Sequence, residues 1–261
     1  MSAVFSFQNY AKFSTIHANS YAPAMPPTNV ATDSGSPAEA WQTAAGVVTP
    51  AGGALLNIAP SVAGLTWGVV GLFRTNLTTS ASVNAVLWKA GSPPVSVWGS
   101  TLSPVYGRGQ VVFLIPNIVA DYVQITFDDP TNPDGFINVP LVVCGQVWKP
   151  SRPIGFASTV GRDVSQAETV TRGGQTDTQL LWRRRRWNIQ ADVLAAEAWS
   201  YLDFLLQYAD TGTNVFFCPD SNSPYLQNEA IFGQMKSIAD VSYPYQFADR
   251  RRWSASITER L

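Results

Sequence analysis

The first half of the chain alternates short apolar runs with clusters of Gly, Pro, Ser and Asn. Leu65–Arg74, Ser82–Lys89, Gln110–Ile115 and Ala120–Phe127 are rich in β-branched and aromatic residues and bounded by turn formers, so each predicts a strand. Short strands at this spacing predict an antiparallel sandwich. Some runs are apolar at every position, which predicts central strands or a second buried face. Residues 20–54, rich in Pro, Ala, Ser, Thr and Gly, read as an irregular arm anchored by Tyr21, Val30 and Trp41.

Past residue 190 the period changes. Leu194, Ala198, Leu202, Leu205 and Ala209 recur at helical spacing, Asp192 can cap the start and Gly212 ends the segment. The pattern predicts one main helix over about 192–209. Strands are expected around it at Thr178–Ala191, Asn214–Cys218, Ala230–Ala239 and Arg252–Glu259. The expected fold is thus mainly β: an antiparallel β-sandwich followed by a β-rich α+β domain with one main helix.

Charge sharpens the division. Residues 1–145 carry 4 basic and 6 acidic side chains, residues 146–261 carry 13 and 12. A threefold change in charge density implies two domains, 1–145 (arm plus sandwich) and 146–261, joined near Gly145–Pro153, where two prolines interrupt the pattern.

Composition excludes several classes. With 46% apolar and 12% aromatic residues the chain is not disordered, and a net charge of −1 argues against binding nucleic acid by bulk charge. The longest apolar stretch, Val111–Val119, is too short to span a bilayer and contains Pro116 and Asn117. The first residues lack a basic start followed by an apolar block, so synthesis in the cytoplasm is expected. The single histidine, His17, sits in a polar segment and reads as solvated surface. Cys144 and Cys218 cannot form a disulfide framework; one pair stays open as an option. No phosphate-cradling glycine loop, zinc-ligand cluster or nucleophile elbow occurs, so no cofactor and no enzymatic role are expected.

Three constellations remain. Asp128, Asp129, Asn132 and Asp134 lie in an acidic turn that could hold a hard cation, although the spacing is not that of an EF-hand and Asx–Pro–Gly turn chemistry is the preferred reading. Arg183, Arg184, Arg185 and Arg186 form the strongest charge run, with Arg250, Arg251 and Arg252 opening the last strand. On neighbouring strands these guanidiniums would share one surface, suited to carboxylates of an adjacent subunit; a solvated edge ladder is the plain alternative. Nine tryptophans are many for this length. Core or interface burial is the commoner fate of Trp41, Trp67, Trp88 and Trp98, while Trp41, Trp98 and Arg108 are candidates for stacking on and binding a sugar.

Two blocks carry a resemblance. Gly71–Trp88, with Phe73-Arg74-Thr75-Asn76-Leu77, resembles the "FRTNLS" segment of a family of tailed-bacteriophage minor tail proteins. Asp128–Gly135, followed by Gly145–Arg152, resembles that family's "DDPxNPDGY … W.PSRN" block. Pro27–Asp33 and Trp41 are similar to the opening of discoidin-like, galactose-binding-like domains, and the second part resembles the β-rich ring domain of distal tail proteins. Pro153, Phe136, Asn84 and Val86 depart from the pattern, which bears on ligand binding more than on fold. The resemblance implies a galactose-binding-like sandwich, a ring-type second domain and a structural role in a virion tail tip or baseplate. The partners it implies are identical copies in a cyclic ring and other tail proteins. The alternative is a module of the tail that binds glycan on the host surface.

Overall fold

The computed structural model describes residues 2–105, 109–155, 157–170, 172–242 and 249–260. The expected fold class is the one observed: a mostly antiparallel β-structure with one main helix. The chain divides into two compact units. The first is Ala3–Lys149 with Phe216–Ala230, and the second is Pro150–Val215 with Ile231–Leu261. The join read from the sequence lay at 145–146. The chain in fact passes between the units three times, and residues 216–230 belong with the first.

The first unit is a sandwich. Its strands are β1 (Val4–Ser6), β2 (Ser14–Ala18), β3 (Trp41–Gln42), β4 (Leu55–Pro60), β5 (Leu65–Phe73), β6 (Ser82–Lys89), β7 (Val95–Leu102), β8 (Val111–Ala120), β9 (Tyr122–Asp128), β10 (Asn138–Val139) and β11 (Leu141–Gly145). A five-stranded sheet, β2-β4-β9-β6-β7, faces a three-stranded one, β11-β5-β8; all pairings are antiparallel. The larger sheet alternates, burying Leu56, Ile58, Val83, Ala85, Leu87, Val123, Ile125 and Phe127 and leaving its polar face outward. Trp67, Leu72, Phe113 and Val142 close the core from the smaller sheet.

The smaller sheet is apolar on both faces, which accounts for its unbroken runs. Val69, Phe73, Val112 and Val143, on the face away from the sandwich core, are buried too. Residues 216–230 supply the second cover. Phe216 packs on Phe73 with ring centroids 6.4 Å apart, and Phe216–Cys218 pairs with β1. The Gln227 side chain behaves like a strand end, donating to Val112 O (2.6 Å) and accepting from Val112 N (2.7 Å). Gln110 Nε2 donates to Ala230 O at 2.9 Å. Backbone groups that a buried face would otherwise orphan are thereby satisfied. Val30 and Trp41 anchor the arm as expected, but Tyr21 is half exposed and anchors nothing.

The second unit holds β12 (Thr159–Val170), β13 (Thr176–Leu194), β15 (Ile231–Ser242) and β16 (Arg250–Glu259), ordered β15-β16-β13-β12; β14 (Asn214–Cys218) leads the chain out of it. The helical segment runs as α1 (Ala195–Glu197), a π-turn (Ala198–Leu202) and α2 (Asp203–Asp210). Leu202, Leu205 and Ala209 face the sheet, where Ile189, Val193, Trp253, Ala255 and Ile257 are buried, and Gly212 (φ 75) ends the segment. Asp192 does not cap it. That residue lies inside β13, where its carboxylate accepts from Arg252 Nε at 3.0 Å. Glu197 does the capping, accepting from Leu194 N at 3.2 Å and from Ser151 N and Oγ at 2.8 and 2.9 Å.

Candidate functional site

The two sequence blocks of the first unit fold onto each other. Asp129 is fully buried; its carboxylate accepts from Thr78 N (2.8 Å), Thr78 Oγ1 (2.5 Å) and Asn132 Nδ2 (3.0 Å). Asn76 Nδ2 donates to Asp134 Oδ2 and Phe136 O, and Asn76 Oδ1 accepts from Asn138 N. Arg74, at φ 61, donates to Gly35 O at 2.8 Å, and Thr75 Oγ1 donates to Gly109 O at 2.6 Å. The charge of Asp129 is thus met by donors of the chain itself, while Asp128 points to solvent. Among the described residues no three His, Cys, Asp or Glu side chains gather as a metal site. The acidic turn is built as a hydrogen-bonded clasp between loops, the turn reading preferred from sequence.

The expected sugar-stacking residues do not form a surface. Trp41 is fully buried, tilted against Phe127 at 5.4 Å, with its indole N–H donated to Ser20 O. Trp98 points inward beside Leu87 and meets Phe113 edge-on at 6.1 Å, half-buried at the core margin. Trp41 therefore presents no ring face to solvent and takes the core role that was the commoner expectation, while Trp98 keeps part of its surface exposed. Arg108 lies outside the described residues.

The arginine runs are also corrected. In the antiparallel register Arg186 is opposite Thr258, whereas Arg250–Arg252 are opposite Leu194–Asp192. Arg183–Arg186 therefore sit midway along β13 and Arg250–Arg252 beside its last residues, roughly 25 Å apart at 3.3 Å per residue, and the two runs do not share one surface. The alternation of faces is as expected. Arg184 and Arg186 both reach Asp163, at 3.4 and 3.0 Å. Arg185, buried on the other face, donates its Nε to Glu259 Oε2 at 2.9 Å. Arg252 pairs with Asp192, and Arg251 Nη1 donates to Arg250 O. Four of these seven arginines are thus held by three carboxylates of the same unit, Asp163, Glu259 and Asp192. Arg183 is exposed, with no ion pair among the described residues.

What the second unit does expose is apolar surface. Strand β13 pairs with β16 only from Arg186 to Leu194, while its pairing with β12 continues out to Thr176. Beyond Arg186 the two strands form a ribbon with which no third strand pairs among the described residues. Leu180, Leu181 and Trp182 are 50, 57 and 39% exposed there, with Val164 and Val170 on the partner strand also exposed. Leu181 is the extra residue of a bulge, because Ser165 faces Trp182 while Gln166 faces Leu180. At the other end of β13, the helical segment turns Trp199 (70% exposed), Tyr201 and Phe204 outward. Beside them lies an open, mostly apolar cavity of about 220 Å³, lined by Ala198, Trp199, Leu202, Leu206 and Val241 together with the charged Asp203 and Arg251. These positions fall off the buried stripe of the helix. That mismatch was the signal available in the sequence, and the helical reading passed over it.

Both cysteines are free and buried, and burial pushes each thiol up to about 12. Neither is a nucleophile at neutral pH. No helix among the described residues is long and apolar enough to cross a membrane.

No family model matches the chain, and no curated protein matches it. Several solved structures do. The lectin domain of lectinolysin complexed with Lewis b antigen is 13% identical, with a TM-score of 0.43, over 53% of this chain and 96% of that one. A Streptococcus pneumoniae fucose-binding module is 11% identical, with a TM-score of 0.41, over 53% of this chain and 94% of its own. The family 32 carbohydrate-binding module of Clostridium perfringens NanJ, in complex with galactose, is 12% identical, with a TM-score of 0.40, over 57% and 100%. These are galactose-binding-like β-sandwich domains. The sandwich of the first unit stands independently on its own strand pairing.

Proposed function

We propose that this chain is a non-catalytic structural protein that works inside an assembly, with the second unit as its docking element and the first as a rigid β-sandwich displayed from it. The observation that carries this reading is the ribbon of β12 and β13. A two-stranded ribbon without a third strand is marginal in water, yet this one presents Leu180, Leu181 and Trp182 to solvent. Exposed apolar surface of this kind marks contact with another macromolecule. With the motif blocks around Asn76 and Asp129, the reading extends to a component of a bacteriophage tail tip or baseplate. The test is labelling of purified phage particles with antibody against the chain. Decoration at the tail tip is expected, and absence from mature particles overturns the reading.

A second reading, carbohydrate binding by the first unit at a host surface, is favoured by the comparisons, which include a Lewis b complex, a fucose-binding module and a galactose complex. It takes no support from Trp41, which is a core residue; Trp98 keeps only part of its surface exposed. A ligand site would have to use other residues of the sandwich. A glycan array with the whole chain decides it: binding to any fucosylated or galactosylated glycan supports the reading, and an empty array removes it.

A further inference from the structure

We propose that the outward face of the five-stranded sheet is a binding site for an uncharged glycan, with Trp88 and Tyr122 as its stacking platform and Asn57 and Gln124 as its polar contacts. The proposal rests on the carbohydrate reading above and gives that reading a location.

The antiparallel register assembles this face. Asn57 is opposite Gln124, Gln124 opposite Val86 and Val86 opposite Gly99, so the four form one row across β4, β9, β6 and β7. The next row, two residues along β9 and β6, sets Tyr122 opposite Trp88. All alternate with the buried Ile58, Val123 and Leu87, so they point away from the core. The two rows are about 7 Å apart along a strand. The Trp88 and Tyr122 rings are nearly parallel, at 11°, with centroids 6.4 Å apart, and both residues keep part of their surface exposed. Trp88 is thus a tryptophan that the core does not take up.

Polar groups beside the two rings are uncommitted. The Gln124 carboxamide has no hydrogen bond among the described residues. Asn57 Oδ1 and Trp88 Nε1, on the strands either side of it, are shielded by their neighbours and also lack a partner. By contrast, Asn84 on the same face is tied to Thr101 Oγ1 at 2.9 Å. The outer torsion of Asn and Trp side chains is broad, so a modest rotation brings both shielded atoms to a ligand. One face therefore offers an acceptor, a donor and a free amide that can do either.

These features select the ligand. The five strands carry two charges, Lys89 and Asp128, each the last residue of its strand. A charged ligand would meet no counter-charge in the middle of the face, and desolvating it there is costly. An apolar protein surface would cover the amides and leave them unmatched. An uncharged sugar suits both halves: its C–H face lies on an aromatic ring, and its hydroxyls both donate and accept.

A glycan array carrying uncharged, sialylated and sulfated glycans tests this with the full chain, Gln124→Ala, Trp88→Phe and Trp88→Ala. The wild type is expected to retain uncharged glycans in preference to charged ones. Gln124→Ala removes an amide that holds nothing in the chain. It is expected to keep the wild-type melting midpoint and to bind about tenfold more weakly, the share of one or two hydrogen bonds. Trp88→Phe keeps a ring without the N–H and is expected to bind more weakly than wild type, and Trp88→Ala to lose binding. Should Trp88→Ala unfold, Gln124→Ala and Trp88→Phe decide. Undiminished binding by those two overturns this location and leaves the carbohydrate reading standing, as does a preference for sialylated or sulfated glycans. An empty array overturns both.

Discussion

At the residue scale the strongest local commitment is at Asp129, a buried carboxylate whose three donors come from two loops. Replacing it with alanine leaves Thr78 N and one N–H of the Asn132 amide, whose other N–H donates to Asn76 O, without an acceptor. Leaving buried donors unmatched costs about 1–3 kcal/mol each, so Asp129→Ala is expected to destabilise the first unit by about 2–4 kcal/mol, read as a lowered urea midpoint. Asp128→Ala, at an exposed position, should lie within about 0.5 kcal/mol of wild type. Adding Ca²⁺ should leave both proteins unchanged. The buried thiols set a separate expectation. Cys144 and Cys218 keep their protons to about pH 12 when folded, whereas unfolded thiols lose them near pH 8.5. The folded state then holds more protons than the unfolded one above pH 8.5, so stability is flat in this respect below that pH and falls as pH rises from there. The Tyr10 phenol, also pushed up to about 12 by burial, acts in the same direction above pH 10. Urea unfolding at pH 8 and pH 10.5 should show the loss. Thiol reagent should find no reactive cysteine in the native protein and two in denaturant.

At the scale of elements, the strands of the first unit were readable because turn formers bracket each one and apolar runs have strand length. The existence of the main helix was readable too, but its start was not. Asp192 is a good capping residue by type, yet β13 stays in register with β16 through Leu194, and a paired strand overrides a local cap preference. The arginine runs failed for a related reason. Alternation is a property of one strand and was correct; which arginines share a surface depends on the antiparallel register, which sequence spacing does not contain. Arg185 shows what that register does, since it brings Glu259 beside a guanidinium that would otherwise be buried alone. Breaking such a pair from one side costs about 3–5 kcal/mol when fully buried. Glu259 keeps a fifth of its side chain exposed, so Glu259→Ala is expected to cost less, about 2 kcal/mol, in thermal unfolding of the second unit. The outer ribbon should behave oppositely. Its residues bury almost nothing, so replacing Gln166–Leu180 by a two-residue hairpin turn should leave the midpoint of that unit unchanged while altering its association.

At the scale of the whole molecule, exposed apolar side chains are concentrated in the second unit and sparse in the first. Even charge density, which did signal two parts, says nothing of this, because the second part is both the more charged and the more apolar at its surface. Core burial, the commoner expectation for the tryptophans, holds for Trp41 and Trp67, both fully buried, while Trp98 packs at the margin of a sandwich whose smaller sheet has only three strands.

The late segment Phe216–Ala230 has a consequence for how this polypeptide is made. A ribosome that has released the first 149 residues has delivered both sheets of the sandwich but not the partners of Phe73 and Val112 on the second buried face. Those side chains must wait for some seventy further residues, or about 4–14 s at the ~5–20 residues per second of translation, before Phe216 and Gln227 arrive. A product truncated at Lys149 is therefore expected to be insoluble or chaperone-bound, and adding a peptide spanning Asn214–Ile231 in trans should recover soluble protein.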